Sequence, residues 1–446
     1  MTDKTTPPSA LDKAITTSLE RRHQSSTLRR LTLPGPNAVD FSSNDFLSLS
    51  HSPLLKARFL SELTSSTLPL GSGGSRLLDG NTPYAISLER LISDFHNSET
   101  CLLTNSGFDA NAAIFSTLPQ PTDIILYDSL IHASVHDGMR ASRVPSTQRF
   151  SFSHNSIPAF TSTLQSILST FPSILSGSSS LFIALEAIYS MDGDLAPLTP
   201  ILSTIDTLIP LPARQNIHLV LDEAHSTGVL GPQGRGLACS LALEHRISIR
   251  LHTFGKSLSA NGAAILCSEN IKSYLLNYAR PLIYTTFLSF PSLALIKSAY
   301  SLMRDDSTLP LIAKVEGNMA LFHTLLLDLH RRLRAAYPPE EVRDVLGVDT
   351  AVPRSPIFSV QTSDPRGLAG WCQAAGFVVR PIVPPTVPKG KERVRVCLHA
   401  GNSEGEIRGL VGCMGNWCEG VLRQRMGESV QGGGKQEGAG EERAKL

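Results

Sequence analysis

The chain has 446 residues, 41% hydrophobic and 18% charged, with a formal net charge of +1. That is a globular composition with room for two or three hydrophobic cores, and a charge near zero gives no reason to expect nucleic acid or an anionic membrane as a partner. No apolar run is long enough to span a bilayer, and Met1 to Ala10 lacks the basic-then-apolar pattern of a secretory signal.

The seven cysteines are scattered and odd in number, which reads as buried thiols in a reducing compartment with no disulfide framework. Cys413 and Cys418 lack zinc-ligand spacing with any other Cys or His pair, so no metal is expected.

Residues 11–31 read as a helix, with Leu11, Ile15 and Leu19 at four-residue steps, stopped by Pro34-Gly35-Pro36-Asn37. Val39 to Leu47 is a short extended stretch. The Gly-rich run 71–80 is either a phosphate loop or a tight turn. Leu88, Leu91, Ile92 and Phe95 mark an amphipathic helix. From Thr100 the pattern alternates. Strands are predicted at 100–104, 124–127, 181–185, 217–221 and 249–254, with helices at about 105–118 and around Leu164 to Phe171. After about Ser292 the character changes. A long helix carries Leu321 to Leu333 and is broken by Pro338-Pro339. Strands follow at 356–360, 377–380 and 393–398, the last alternating polar and apolar as a half-buried strand does. Residues from about Ser429 onward are rich in Gly, Glu and Lys with no apolar periodicity, and are expected to be disordered.

Polar groups recur where these strands end. Ser106, Gly107 and Phe108 open the helix after the first. His132 follows the second and Ser190 the third. Asp222 and His225 follow the fourth, and Thr253 and Lys256 the fifth. An open α/β sheet binds its ligands outside the carboxyl ends of its strands. Lys256, in Thr253-Phe254-Gly255-Lys256-Ser257, is either a surface charge or an amine held for covalent chemistry. Asp222 is either a helix cap or a carboxylate placed beside a pyridine nitrogen. With His225 for a phenolic oxygen, His132 for a ring face, and Ser106 to Phe108 and Thr253 for a phosphate, the set matches what pyridoxal 5'-phosphate needs.

The segments Phe41-Ser-Ser-Asn-Asp-Phe-Leu, Gly71-Ser-Gly-Gly-Ser-Arg, Ser106-Gly-Phe-Asp-Ala-Asn, Ser190-Met-Asp-Gly-Asp-Leu, Asp222-Glu-Ala-His-Ser-Thr-Gly, Thr253-Phe-Gly-Lys and Pro384-Pro-Thr-Val-Pro carry a likeness. With them the chain resembles the α-oxoamine synthase family of pyridoxal-phosphate enzymes, most of all its biotin-pathway branch, from about Leu19 to Leu410. The resemblance implies an aspartate-aminotransferase-like α/β fold, with a large, mostly parallel sheet domain and a smaller C-terminal α/β domain. The expected divisions are 1–50, 51–292, 293–424 and a tail from 425 to 446. It implies a decarboxylating condensation of an amino acid with an acyl-CoA, alanine and pimeloyl-CoA being the expected pair. Lys256 would bond the cofactor and then move the amino acid's α-proton, and Ser190 would lie beside the cofactor. Thr285 or Thr286 would reach the phosphate from the other subunit of a homodimer, and Arg29, Asn44 and Arg395 would face the substrate, Arg395 its carboxylate. The alternatives are a family member using glycine, serine or another acyl-CoA, or a non-catalytic partner subunit. Two positions depart from the family: Val383, where Arg is frequent, and Asn402, where His is frequent, both near the acyl end by analogy. Ala444-Lys445-Leu446 resembles the Ser-Lys-Leu peroxisomal address, so a peroxisomal import receptor is an expected partner, with the cytoplasm the location otherwise.

Overall fold

A computed structural model describes residues 8–25 and 27–427. The tail from 428, with Ala444 to Leu446, lies outside the described residues.

Seven strands form the main sheet: β1 (Thr100–Thr104), β2 (Ile124–Asp128), β3 (Arg149–Phe152), β4 (Leu181–Glu186), β5 (Ile217–Asp222), β6 (Ile249–Thr253) and β7 (Ala263–Cys267). Their order is β1-β7-β6-β5-β4-β2-β3, and only β7 runs antiparallel to its neighbours. The central strands are apolar on both faces because helices cover both. Along β4, Leu181, Ile183 and Leu185 face one core with Phe160, Leu164 and Ile167 of the helix Ile157–Thr170. Phe182 and Ala184 face the other, with Ala110, Ile114 and Phe115 of the helix Gly107–Thr117. This is the two-residue period of a strand buried from above and below.

The sequence pattern located β1, β2, β4, β5 and β6, and it missed β3. That strand is a four-residue edge, paired only with β2, with half its residues between buried and exposed. An edge so short carries little hydrophobic signal.

Three further strands, β8 (Ile357–Gln361), β9 (Arg380–Ile382) and β10 (Arg393–Cys397), form an antiparallel sheet in the order β9-β10-β8. The stretch expected as one strand at 377–380 is divided. Phe377–Val378 pairs with Val39–Asp40, and Arg380 begins β9. β10 is fully buried, where alternation had implied a half-buried strand. Its arginines are not on a wet face: Arg393 pairs with Asp192, and Arg395 reaches Ser190 and Asn44.

The first helix is Ala10–Gln24, shorter than the expected 11–31. Its start is fixed by a capping box between Ser9 and Asp12. Leu11, Ile15 and Leu19 do form a stripe, but it is 68%, 47% and 48% exposed. The expected division at 292/293 falls inside the helix Phe290–Arg304. All seven cysteines are unpaired, and Cys101, Cys267, Cys372, Cys397 and Cys418 are buried. Among the described residues no helix is long and apolar enough to cross a membrane.

Candidate active site

Lys256 sits in the turn that carries β6 back into antiparallel β7. Ala260 N donates to Phe254 O at 2.8 Å, and Ser259 N to Lys256 O at 2.9 Å. Phe254 and Leu258 are fully buried on either side and anchor the turn. The Lys256 amine is held down to about 8, first by desolvation on burial and further by the Arg395 charge, against the carboxylates of Asp222 and Glu186, which raise it. An amine in that range is about one-fifth neutral at pH 7.4, far more than an ordinary lysine, and only the neutral form is a nucleophile.

Asp222 ends β5 in register with Glu186 on β4, so two buried carboxylates stand side by side. Asp222 Oδ1 accepts from Ala224 N at 2.9 Å, and Oδ2 accepts from Asn111 Nδ2 at 2.8 Å. Glu186 is pushed well above the usual carboxylate range, by burial first and then by the Asp222 charge. Asn111 Nδ2 also donates to Ser134 Oγ at 3.0 Å, and Ser134 Oγ meets His132 Nδ1 at 2.7 Å. Ser134 N donates to the same His132 Nδ1 at 3.2 Å, so the neutral ring carries its proton on Nε2. Burial lowers His132 below its ordinary value, against Asp222. His225 is buried and held far below its usual range, by desolvation and then by the charges of Lys256 and Arg395, and it is therefore neutral. Its Nδ1 has no hydrogen-bond partner within the chain.

Ser106 caps the helix Gly107–Thr117, its Oγ accepting from Asp109 N at 3.0 Å and donating to Asp109 Oδ2 at 2.8 Å. The backbone N–H groups at this helix start favour an anion. Thr253 closes on the same place. A Cβ on Gly107 would lie 2.3 Å from Thr253 Cγ2, so only glycine lets the helix start approach β6 this closely. Phe108 is 46% exposed beside it. Asn105 Nδ2 donates to Thr285 Oγ1 at 3.3 Å and to Thr286 O at 2.7 Å. The 285–286 segment therefore adjoins this cradle within the same chain.

On the substrate side, the structure brings Asn44, Ser190 and Arg395 together. Arg395 Nε donates to Ser190 O at 2.6 Å, and its Nη2 to Asn44 Oδ1 at 2.9 Å. Arg29 is not among them. It is exposed on the irregular stretch before Val39 and makes no hydrogen bond to this group. Asn402 is a brace. It is 5% exposed, its Oδ1 accepts from His399 N at 2.9 Å, and its Nδ2 donates to Asp40 O at 3.1 Å. Both ends of the side chain are thus hydrogen-bonded within the chain. Val383 is half-buried and opens the turn closed by Thr386 N at 3.1 Å. A cleft of about 2540 Å³ opens outward from His132 and Ser190, past Asp192 and Asp194, to Pro385 and Arg393.

Sequence reasoning assigned no role to Glu186, Asn111 or Ser134. Glu186 had a usable signal, a carboxylate at the strand end next to Asp222. Asn111 lies one helical turn inside Gly107–Thr117, where nothing local distinguishes a ligand from a buried amide.

The donor set fits pyridoxal phosphate: a depressed amine, a hydrogen-bonded buried carboxylate, a helix start with a close threonine, and a buried imidazole nitrogen with nothing to bond within the chain. Fold and site together define a pyridoxal-phosphate-dependent enzyme. Residues 36–413 match the family model for aminotransferase class I and II. The chain is 46% identical over 420 residues to an 8-amino-7-oxononanoate synthase of Emericella nidulans, covering 94% of this chain and 98% of that protein. It is 39% identical over 410 residues to the aminoacyl transferase sphA of Aspergillus fumigatus, covering 90% and 84%. Its fold matches the serine palmitoyltransferase of Sphingomonas wittichii with a TM-score of 0.75 at 22% identity, covering 93% of this chain and 100% of that one. The chain belongs to the α-oxoamine synthase family and is a pyridoxal-phosphate-dependent acyltransferase.

Proposed function

We propose that the protein joins alanine to pimeloyl-CoA, releasing CoA and carbon dioxide and forming 8-amino-7-oxononanoate, the biotin precursor. The observation that carries the reaction type is the depressed Lys256 amine standing among Asp222, Glu186 and Arg395. Support for the particular substrates comes from the 46% identical relative.

The bound cofactor supplies an electron sink at the amino acid's α-carbon. Everything else falls to the chain. Lys256 would hold the cofactor, and its amine, when neutral, would take the α-proton. Asp222, steadied by Asn111 and Ala224 N, would present its carboxylate to the pyridine nitrogen. His225 Nδ1 would supply a hydrogen bond to the phenolic oxygen, and His132 would cover the ring. Ser106 to Phe108 and Thr253 would hold the phosphate. Arg395 takes the amino-acid carboxylate, and after that carboxylate leaves as carbon dioxide Lys256 returns the proton.

The active form is a homodimer in which the partner's Thr285 or Thr286 would add to the phosphate site beside the chain's own 285–286 segment, which Asn105 already holds there. The uncovered Leu11, Ile15 and Leu19 stripe, with exposed Leu31 and Leu33, supports a second copy as its cover. Mixing Lys256→Ala protein with a Thr285→Ala/Thr286→Ala variant tests the shared site. Activity recovered on mixing supports it, and two inactive parents that stay inactive together refute it.

The 39% identity to an aminoacyl transferase favours a second reading, in which another amino acid or a longer acyl chain is used. A panel of alanine, glycine and serine against short and long acyl-CoA thioesters, scored by released CoA and product mass, separates the two. Turnover confined to alanine and pimeloyl-CoA is expected. Preference for serine or glycine with a long chain overturns the biotin assignment.

A further inference from the structure

Beyond the cofactor cluster, a second group of titratable side chains lies against the cleft. His154 sits in the turn between β3 and the helix Ile157–Thr170. Its Nδ1 is 2.9 Å from Asp128 Oδ1 at the end of β2, and its Nε2 is 2.7 Å from Asp194 Oδ2. Carboxylates only accept, so both ring nitrogens donate and the ring is an imidazolium. Asn155, at φ 51°, repeats the bridge: its N donates to Asp128 Oδ2 at 2.9 Å, and its Nδ2 to Asp194 Oδ2 at 2.6 Å. The Tyr189 ring stands edge-on to His154, with centroids 4.4 Å apart.

Asp194 belongs to the turn closed by the Ile188–Leu195 bridge. The far side of that turn is held by the small sheet. Asp192 pairs with Arg393, Gly193 O accepts from Ser355 Oγ at 2.5 Å, and Ser190 O accepts from Arg395 Nε at 2.6 Å. The turn is thus fastened to the main sheet by His154 and Asn155, and to the three-stranded sheet by two arginines.

The geometry points to His154 as a positioning residue: by bridging Asp128 and Asp194 it pins the 188–195 turn, and through the Ser190 carbonyl that turn aims the Arg395 guanidinium at the amino-acid carboxylate. The inference rests on the proposed condensation for the identity of that carboxylate. The titratable groups facing His154 are Asp128 from β2, and Asp194 and the Tyr189 phenol from the turn. Burial opposes the charge, but the two carboxylates outweigh it and hold the ring up to about 9. The clasp is therefore intact below the ordinary histidine range and is released as pH rises through about 9.

The test uses the holoenzyme and two variants. His154→Gln has one amide to donate and cannot bridge both carboxylates. Asp194→Asn is made on a partly exposed carboxylate, so it is tolerated even where His154→Gln fails to fold. Titration with alanine, followed by the visible band of the bound cofactor, reads amino-acid binding without requiring turnover. Each variant is expected to weaken alanine about 10- to 100-fold, the worth of one hydrogen bond to a charged group, with a smaller fall in kcat, an unshifted resting band and non-additive effects in the double variant. Wild type is expected to lose alanine affinity above about pH 9 more steeply than Asp194→Asn, in which titration of alanine's own amine remains. Unchanged alanine affinity in both variants overturns the inference. So does weakened alanine binding accompanied by loss of the resting band. Wild type that binds alanine but releases no CoA from any thioester sinks the proposed reaction and leaves the His154 result readable.

Discussion

Gly107→Ala is the sharpest perturbation of the phosphate cradle. The new methyl would sit 2.3 Å from Thr253 Cγ2, against about 3.5–4.0 Å for carbons in contact. The helix start and β6 must therefore separate by more than an ångström at the place proposed to hold the phosphate. The other near atoms, Thr253 Cβ at 3.6 Å and Leu251 Cδ2 at 3.7 Å, are at ordinary contact, so the clash is with one methyl group. Overpacking of this kind costs about 1–3 kcal/mol, which corresponds to roughly 5- to 150-fold in cofactor affinity if it falls on the bound state. Thr253→Ser removes Cγ2 and keeps the hydroxyl, so the double variant should regain most of the loss. Equilibrium titration of cofactor-free protein, followed by visible absorbance, measures the affinity. Thermal unfolding of the same samples shows whether the cost falls on the cofactor site or on the fold. Wild-type affinity in Gly107→Ala, or a double variant as weak as the single, would refute the steric reasoning.

The free Lys256 amine, held down to about 8, should capture added cofactor faster as pH rises through about 8 and level off above it, because the neutral amine reacts. Stopped-flow formation of the visible band reads this, and a flat profile from pH 6.5 to 9.5 contradicts it. Glu223 is fully buried and accepts from Leu237 N and Ala238 N, both at 2.8 Å. Glu223→Gln turns an amide N–H toward one of these donors and should destabilise the protein by about 1–3 kcal/mol. Denaturant unfolding measures this, and an unchanged midpoint would show that the carboxylate is not needed.

How much of this was legible in the sequence follows from where the chemistry sits. Lys256, Asp222, His225 and His132 stood out because chemistry gathers at strand ends, and strand ends can be read from apolar runs bounded by polar ones. The antiparallel course of β7 was not readable. It depends on the hairpin through Gly262, at φ 110°, which returns the chain without a helix. The burial of β10 was misread because alternating Arg and Val looks the same whether water or Asp192, Ser190 and Asn44 meets the arginines. The His132-Ser134-Asn111-Asp222 chain joins residues from three elements, and no local pattern announces such a contact. Asn402 drew attention only as a departure from the family near the acyl end, and its bonds to His399 and Asp40 could not be read from the sequence.

The central claim is a condensation coupled to loss of the amino-acid carboxylate and run from Lys256. Carboxyl-labelled alanine and pimeloyl-CoA, incubated with the holoenzyme and followed by mass spectrometry, measure it directly. One labelled carbon dioxide and one CoA should be released for each amino ketone formed, with none of the three from Lys256→Ala. CoA release with the label retained in the product, or wild-type turnover by Lys256→Ala, would contradict it.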